Sequence, residues 1–215
     1  MPAVSRSIKT LADLVDRVGG IPLDRIRFRP FPGTATVQDV IDIQRREGRL
    51  CELVEGVLLE KAVGYNESSL AVFLAGVLNA FVLPRNLGLV TGSDGTVELV
   101  ADLVRIPDVA FTSWDRLPGR RRPTSPVPLL APNLAVEVLS RSNTPGEMAA
   151  KREEYFAAGV QLVWEVDPRV RTVVVYTSLT QSTTLGPADT LDGGVVLPGF
   201  TLPLQTLFGE LDRQG

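Results

Sequence analysis

The stretch LAVEVLSRSNTPGEMAAKREEYFAAGVQLVWEVDP, residues 134–168, decides the fold. Leu134, Ala135, Val136, Val138 and Leu139 read as one strand buried on both faces. Glu137 interrupts it, and an unpaired carboxylate there is costly, so something must hold that charge. A Ser-rich turn follows, and then the best-marked helix of the chain. Thr144 can cap it, Pro145 suits the first turn, Glu147 stands three residues after Thr144 as in a capping box, and Gly159 can end it. QLVWEVDP and RTVVVYTS then read as a strand pair around Asp167-Pro168-Arg169.

Upstream, VRIPDVAFTS (residues 104–113) reads as a further strand, GLVTGSDGTVELV (88–100) as a strand, a Gly-rich turn and a second strand, and CELVEGVLLEKAV (51–63) as two short strands around Glu55-Gly56. A long apolar helix is expected from about Glu67 to Leu83. Its apolar run, Leu70 to Leu83 broken only by Gly76 and Asn79, is short of the roughly 20 residues that cross a bilayer, so it is read as a core helix. Residues 1–48 form an N-terminal arm packed on the core: helices over Ser7–Val18 and Thr36–Glu47 flank the proline-punctuated IPLDRIRFRPFPGTA. The tail VVLPGFTLPLQTLFGEL supplies a short strand and a helical end. The fold expected is α/β, a mixed central sheet flanked by helices, with residues 49–215 as the main domain.

Two absences narrow the chemistry. With no histidine and a single cysteine, Cys51, the chain cannot build a Ser-His-Asp triad, a His-bearing metal site or a Cys cluster. Any metal must be held by oxygen, which favours Mg²⁺, Mn²⁺ or Ca²⁺. One cysteine forms no internal disulfide, and MPAVSRSIKTLADLV lacks the apolar stretch of a secretion signal, so a cytoplasmic location is expected. The formal net charge of −3 gives no global reason to bind a polyanion, which would need a local basic surface or metal ions.

Asp108 repeats the problem of Glu137: it is an acid within an apolar strand, and Pro107 before it removes a ladder donor. Two carboxylates on neighbouring strands repel unless a cation stands between them. A structural account is open alongside this one, in which Glu137 pairs with Arg105 or Arg152 and Asp108 merely ends a strand. Lys151 shares a helical side with Glu147 and Tyr155, so the return of the helix can bring its ammonium to the carboxylates. Two acids, a divalent cation and a lysine suit phosphoryl chemistry that needs no histidine.

CELVEG, RIPDVAF, LAVEVLSRSN and EMAAKREEYFAAGVQLVWEVDPRVRTVVVY, in that order, resemble the Uma-two family of restriction endonuclease-like proteins, a branch of the PD-(D/E)XK nuclease superfamily. The resemblance covers roughly residues 50 to 208. It implies that Asp108 and Glu137 ligate Mg²⁺ or Mn²⁺ and that the usual lysine two residues after the glutamate, where Leu139 stands, is supplied instead by Lys151. It implies a metal-dependent endonuclease acting on DNA, and it is compatible with a homodimer. Glu52 matches an acid at the start of the family pattern, and Glu67 falls where many relatives resemble a histidine. Each either joins the site or stays outside it, Glu52 as a hairpin acid and Glu67 as a first-turn residue favoured by the helix dipole.

Arg116, Arg120, Arg121 and Arg122 form the obvious phosphate-contacting surface, with a solvated loop as the alternative. Tyr155 is read either as supporting Lys151 or as a core aromatic, and Trp114 and Trp164 as packing residues. Two rival functions stand beside the endonuclease: an inactive nuclease-fold module that binds nucleic acid or protein, and a metal-dependent hydrolase of another phosphate ester.

Overall fold

The computed structural model describes residues 8–62 and 64–214, so Ser7, expected at a helix start, lies outside the described residues. Helix α1 (Leu11–Arg17) begins at Thr10, whose hydroxyl accepts the Asp13 amide while the Asp13 carboxylate accepts the Thr10 amide. Helix α2 (Val37–Glu47) follows Thr36 and ends at Gly48, whose φ of 67° is the left-handed conformation that terminates helices. Strands β1 (Cys51–Val54) and β2 (Val57–Glu60) form an antiparallel hairpin. Glu55 and Gly56 turn it with φ of 47° and 74°, matching the twist that two-residue hairpin turns require.

The long apolar helix is α3 (Tyr65–Val82), starting two residues before its sequence expectation. After it come β3 (Gly88–Thr91), β4 (Val97–Val100), β5 (Leu103–Arg105) and β6 (Val109–Ser113). Strand β7 (Leu134–Val138) carries Glu137, and α4 (Pro145–Ala157) leads to β8 (Leu162–Asp167) and β9 (Thr172–Tyr176). Strands β10 (Ser182–Leu185), β11 (Thr190–Asp192) and β12 (Thr201–Pro203) and helix α5 (Leu204–Gly209) complete the chain; β10 and β11 carried no sequence expectation. None of these helices is long and apolar enough to cross a membrane.

The strands build a six-stranded sheet in the order β10-β9-β8-β7-β6-β3 and a four-stranded sheet in the order β2-β1-β5-β4, with β11 and β12 as a separate pair. The larger sheet is mixed: β7 and β8 run parallel, joined by α4, and its other neighbours are antiparallel. Residues 104–113 do not form the single strand expected. They divide into β5 in the small sheet and β6 in the large one, with Ile106-Pro107-Asp108 crossing between them. The physical reason is Pro107, which has no N–H for a ladder. The flanking amides find other partners: Ile106 N–H donates to Glu52 Oε1 and Asp108 N–H to the Val136 carbonyl.

Alternation along β7 divides its side chains. Val136 and Val138 pack with Leu74, Leu78, Trp164, Phe200 and Leu207 in the core under α3 and α5, while Ala135 joins Tyr155, Val160 and Val163 on the α4 side. Glu137 falls on that second face. The small sheet is covered on both faces by the N-terminal residues: α1 and Ile21 pack on Val54, Val57 and Leu59, and α2 packs on Cys51, Leu53 and Leu58.

The N-terminal segment also meets the start of α4. Gly19 has φ of 77°, and a Cβ there would stand 2.6 Å from the Glu147 nitrogen; one on Gly146 would stand 2.6 Å from the Gly19 carbonyl oxygen. The Thr144 hydroxyl donates to that same carbonyl at 2.6 Å. Gly19→Ala is therefore expected to cost about 1–3 kcal/mol of stability through overpacking against backbone. Urea denaturation checks it; an unchanged midpoint would mean that the two segments separate without loss.

Candidate functional site

Asp108 stands where the chain leaves one sheet for the other. Its Oδ2 accepts the Val138 amide at 2.7 Å, and its Oδ1 lies 2.9 Å from Lys61 Nζ. Because the Val138 amide belongs to the residue after Glu137, this bond ties the first carboxylate to the strand of the second. Both acids line one pocket of about 90 Å³ together with Lys61 and Lys151.

Glu137 is 5% exposed, and Lys151, two turns into α4, reaches it at 3.2 and 3.1 Å, one contact to each carboxylate oxygen. Tyr155, one turn further on, donates its hydroxyl to Glu137 Oε1 at 2.5 Å. The charge that opened the question is thus held by a lysine and a tyrosine. The arginines considered as alternatives are engaged elsewhere: Arg105 with Glu52 and Glu154, and Arg152 with Glu165. Tyr155 supports the site by bonding Glu137 rather than Lys151.

Glu52 is also brought in. As the neighbour of Leu53 in β1 it alternates onto the face of Val54. Its Oε1 lies 3.1 Å from Lys151 Nζ and its Oε2 2.7 Å from Arg105 NH1, while Arg105 continues to Glu154 at 2.6 Å. A continuous ion-pair chain therefore runs Glu137, Lys151, Glu52, Arg105, Glu154. With Lys151, Arg105 and the Ile106 amide on its oxygens, Glu52 anchors the lysine.

The charges differ in their stability. Burial raises the Glu137 carboxyl above the ordinary 4.5, and the Lys151 charge, which Glu137 shares with Glu52, does not outweigh it; the nearby Asp108 charge adds to the rise. At Glu52 burial pushes the same way, but Lys151 and Arg105 together outweigh it and hold the carboxyl well below the usual range. Lys151 loses hydration too, yet Glu137 and Glu52 keep its ammonium charged well above an ordinary lysine. Burial, reinforced by Glu137, raises Tyr155 well above 10.0 and keeps it a neutral donor.

Glu67 lines the same pocket from the first turn of α3. Its carboxylate folds over Gly64, so that a Cβ on Gly64 would stand 2.1 Å from Glu67 Oε2. Among the described residues no group of three or more His, Cys, Asp or Glu is disposed to hold a metal ion. Of the four pocket carboxylates, Asp108 and Glu137 are the two that adjoin along β7, Asp108 bonding the Val138 amide. Two carboxylates, completed by water and substrate oxygens, fit Mg²⁺ or Mn²⁺ better than a protein-caged Ca²⁺, and each carboxylate retains acceptor capacity beside its present donors.

The arginine run is not brought to this pocket. Arg116 is spent on the carbonyls of Ala131, Pro132 and Gly159, and Arg120 pairs with Asp115. Arg121 and Arg122 line a separate groove with Pro123 and Leu129, beyond the end of β6 remote from Asp108. Two residues that the sequence reading passed over are present instead. Lys61 directly follows β2, and Arg25 lines the pocket while holding the buried Glu147 through two bonds of 3.1 and 2.9 Å. A lysine ending an apolar strand, VLLEK, was the available signal for Lys61. For Arg25 there was none, since its partner lies 122 residues away. Glu147 therefore does not complete a capping box: Thr144 accepts its amide, but its carboxylate serves Arg25 and Asn143.

The sequence matches the Uma2 family, described as "Putative restriction endonuclease", over residues 37–205. The fold is similar to that of "a putative nuclease belonging to DUF820" from Anabaena variabilis, at 21% identity and a TM-score of 0.68, covering 76% of this chain and 92% of that one. No curated protein matches the chain.

Proposed function

Since the chain belongs to the Uma2 family, whose description is that of a restriction endonuclease, we propose that it is a Mg²⁺- or Mn²⁺-dependent endonuclease that hydrolyses phosphodiester bonds of DNA. The observation that carries this reading is the convergence of Asp108, Glu137 and Lys151 on one pocket, from a sheet crossing, a strand and a helix.

Asp108 and Glu137 would hold the ion, which supplies Lewis-acid polarisation of the phosphate and a more acidic water. The Val138 amide fixes Asp108, and Tyr155 and Lys151 fix Glu137, so both carboxylates are oriented before substrate arrives. Lys151 holds its positive charge beside Glu137 at neutral pH, placed to offset negative charge that accumulates on phosphorus; preorganised charge of this kind acts strongly where water is excluded.

Plasmid nicking with Mg²⁺ or Mn²⁺ tests this. Cleavage lost in Asp108→Ala is the expected result; no cleavage by the unaltered protein on varied DNA, or cleavage unchanged by Asp108→Ala, would sink the proposal. A second reading, an inactive module that binds nucleic acid or protein, is favoured by one observation: every oxygen of Asp108 and Glu137 already has a hydrogen-bond donor or a paired ammonium beside it. Calorimetry with Mn²⁺ separates the two, because the inactive module shows no heat of binding while the endonuclease loses its binding in Glu137→Gln.

A further inference from the structure

Lys61 plays no part in the chemistry just proposed, yet its ammonium lies in the pocket. Its main-chain N–H donates to the Leu50 carbonyl, which fixes the backbone just past the hairpin. Its Nζ donates to the Ile106 carbonyl at 2.6 Å and pairs with Asp108 Oδ1 at 2.9 Å. An ammonium has three donors. Among the described residues Lys61 makes one hydrogen bond, to the Ile106 carbonyl, and one ion pair, to Asp108.

Lys151 differs. Its Nζ donates to both Glu137 oxygens and pairs with Glu52 Oε1, so it neutralises parts of two carboxylates. Of the two lysines lining the pocket, Lys61 has the fewer protein partners, with one carboxylate oxygen against three for Lys151. The Ile106 carbonyl that holds it belongs to the crossing between the sheets, so its position is set by the same residues that set Asp108. Ser68, Ser93, Ser140 and Asn143 complete the polar wall with Arg25, and no carboxylate lines it beyond those already named.

We propose that Lys61 is a substrate-positioning residue that binds a non-bridging oxygen of a backbone phosphate in a polynucleotide seated in this pocket. The proposal rests on the nuclease reading for the class of ligand, and it concerns binding rather than the cleavage step. A phosphate contact made by one lysine has a specific signature: counterion release makes log K fall with log salt, with a slope of about −0.9 per phosphate neutralised on duplex DNA.

The test is fluorescence anisotropy of a labelled DNA duplex in EDTA, with salt raised from about 50 to 200 mM, for the unaltered protein, Lys61→Gln and Lys61→Arg. The expected result is a slope shallower by about 0.9 in Lys61→Gln and restored in Lys61→Arg. Equal slopes in all three overturn the proposal and leave the nuclease reading standing if plasmid is still nicked. A shallower slope in a protein that nicks nothing supports Lys61 and overturns the nuclease reading. An unaltered protein that binds no duplex overturns this proposal directly. Because Lys61→Gln also removes the partner of Asp108, thermal melting of both variants accompanies the titrations. Loss of slope in Lys61→Gln without recovery in an equally folded Lys61→Arg marks a structural lysine and overturns the assignment.

Discussion

Arg105→Met lowers the unfolding free energy by about 3–5 kcal/mol, the expected cost of removing one partner from a buried ion pair. Arg105 is 2% exposed and is the cation between Glu52 and Glu154. Without it, Glu52, itself 1% exposed, retains the Ile106 amide and one paired cation, Lys151, which Glu137 also claims. Glu154→Gln should cost far less, within about 1.5 kcal/mol, because it sits at the partly exposed end of the chain and keeps a polar contact to Arg105. Urea denaturation of both variants distinguishes the two; equal losses would mean that the ion pairs are not linked in series. The double variant Glu52→Gln with Arg105→Met should lose less than the sum of its singles, since neither charge is then left alone.

The same network predicts a pH dependence. Glu52 is depressed in the folded state, so its contribution is present above the ordinary 4.5 and is lost as pH falls below it. Glu137 is raised, so the folded state holds its proton more tightly than the unfolded chain does, and this group favours folding as pH falls through the raised value. Lys151 is raised, so its contribution is complete below 10.5 and is lost as pH rises through the folded value. Stability should therefore fall at both extremes, with Glu137 softening the acid side. In Arg105→Met the depression of Glu52 is relieved, and the gap from the unaltered protein should narrow below about pH 4.5. A gap that widens there would contradict the assignment of Glu52 as the depressed group.

Lys151→Met is expected to reduce DNA cleavage by about 10²- to 10³-fold, the scale found when a preorganised electrostatic contact to developing charge is lost. The substitution removes the charge that Glu137 and Glu52 share, so stability falls as well; cleavage must be compared at a temperature where circular dichroism shows both proteins folded. Tyr155→Phe removes one hydrogen bond to Glu137 and leaves the charge, so its loss of cleavage should be the smaller. Cleavage by folded Lys151→Met within threefold of the unaltered protein would reduce Lys151 to a structural cation.

Much of this arrangement could be read from residue order. Glu137 within an unbroken apolar strand, Pro107 before Asp108, and a helix placing Lys151 and Tyr155 four residues apart together point to the juxtaposition that the structure displays. Such features are legible because they follow from local periodicity and from what a carboxylate requires when buried. The partners at long range are not. Whether Glu137 took Lys151 or an arginine was decided by how the two sheets pack, and Arg105 is turned toward Glu52 across 53 residues. Arg25 belongs to a segment whose proline-punctuated sequence shows no periodicity. The division of residues 104–113 between two sheets was hidden for a different reason: Pro107 signals an interruption but not where the chain goes next. Arg116 read as a surface cation because its type suggests one, whereas the three carbonyls it binds leave no mark in sequence.

The meeting of Gly19 with Gly146, and of Arg25 with Glu147, bears on where this protein can be cut. The family match starts at residue 37, and a clone trimmed to that boundary would look complete by homology. It would nonetheless discard Leu14, Val18, Ile21 and Ile26, baring one side of the hairpin to water, and would leave the buried Glu147 without its guanidinium. For anyone preparing this protein, the inherited outline of the family is shorter than the smallest piece that can be expected to stand alone.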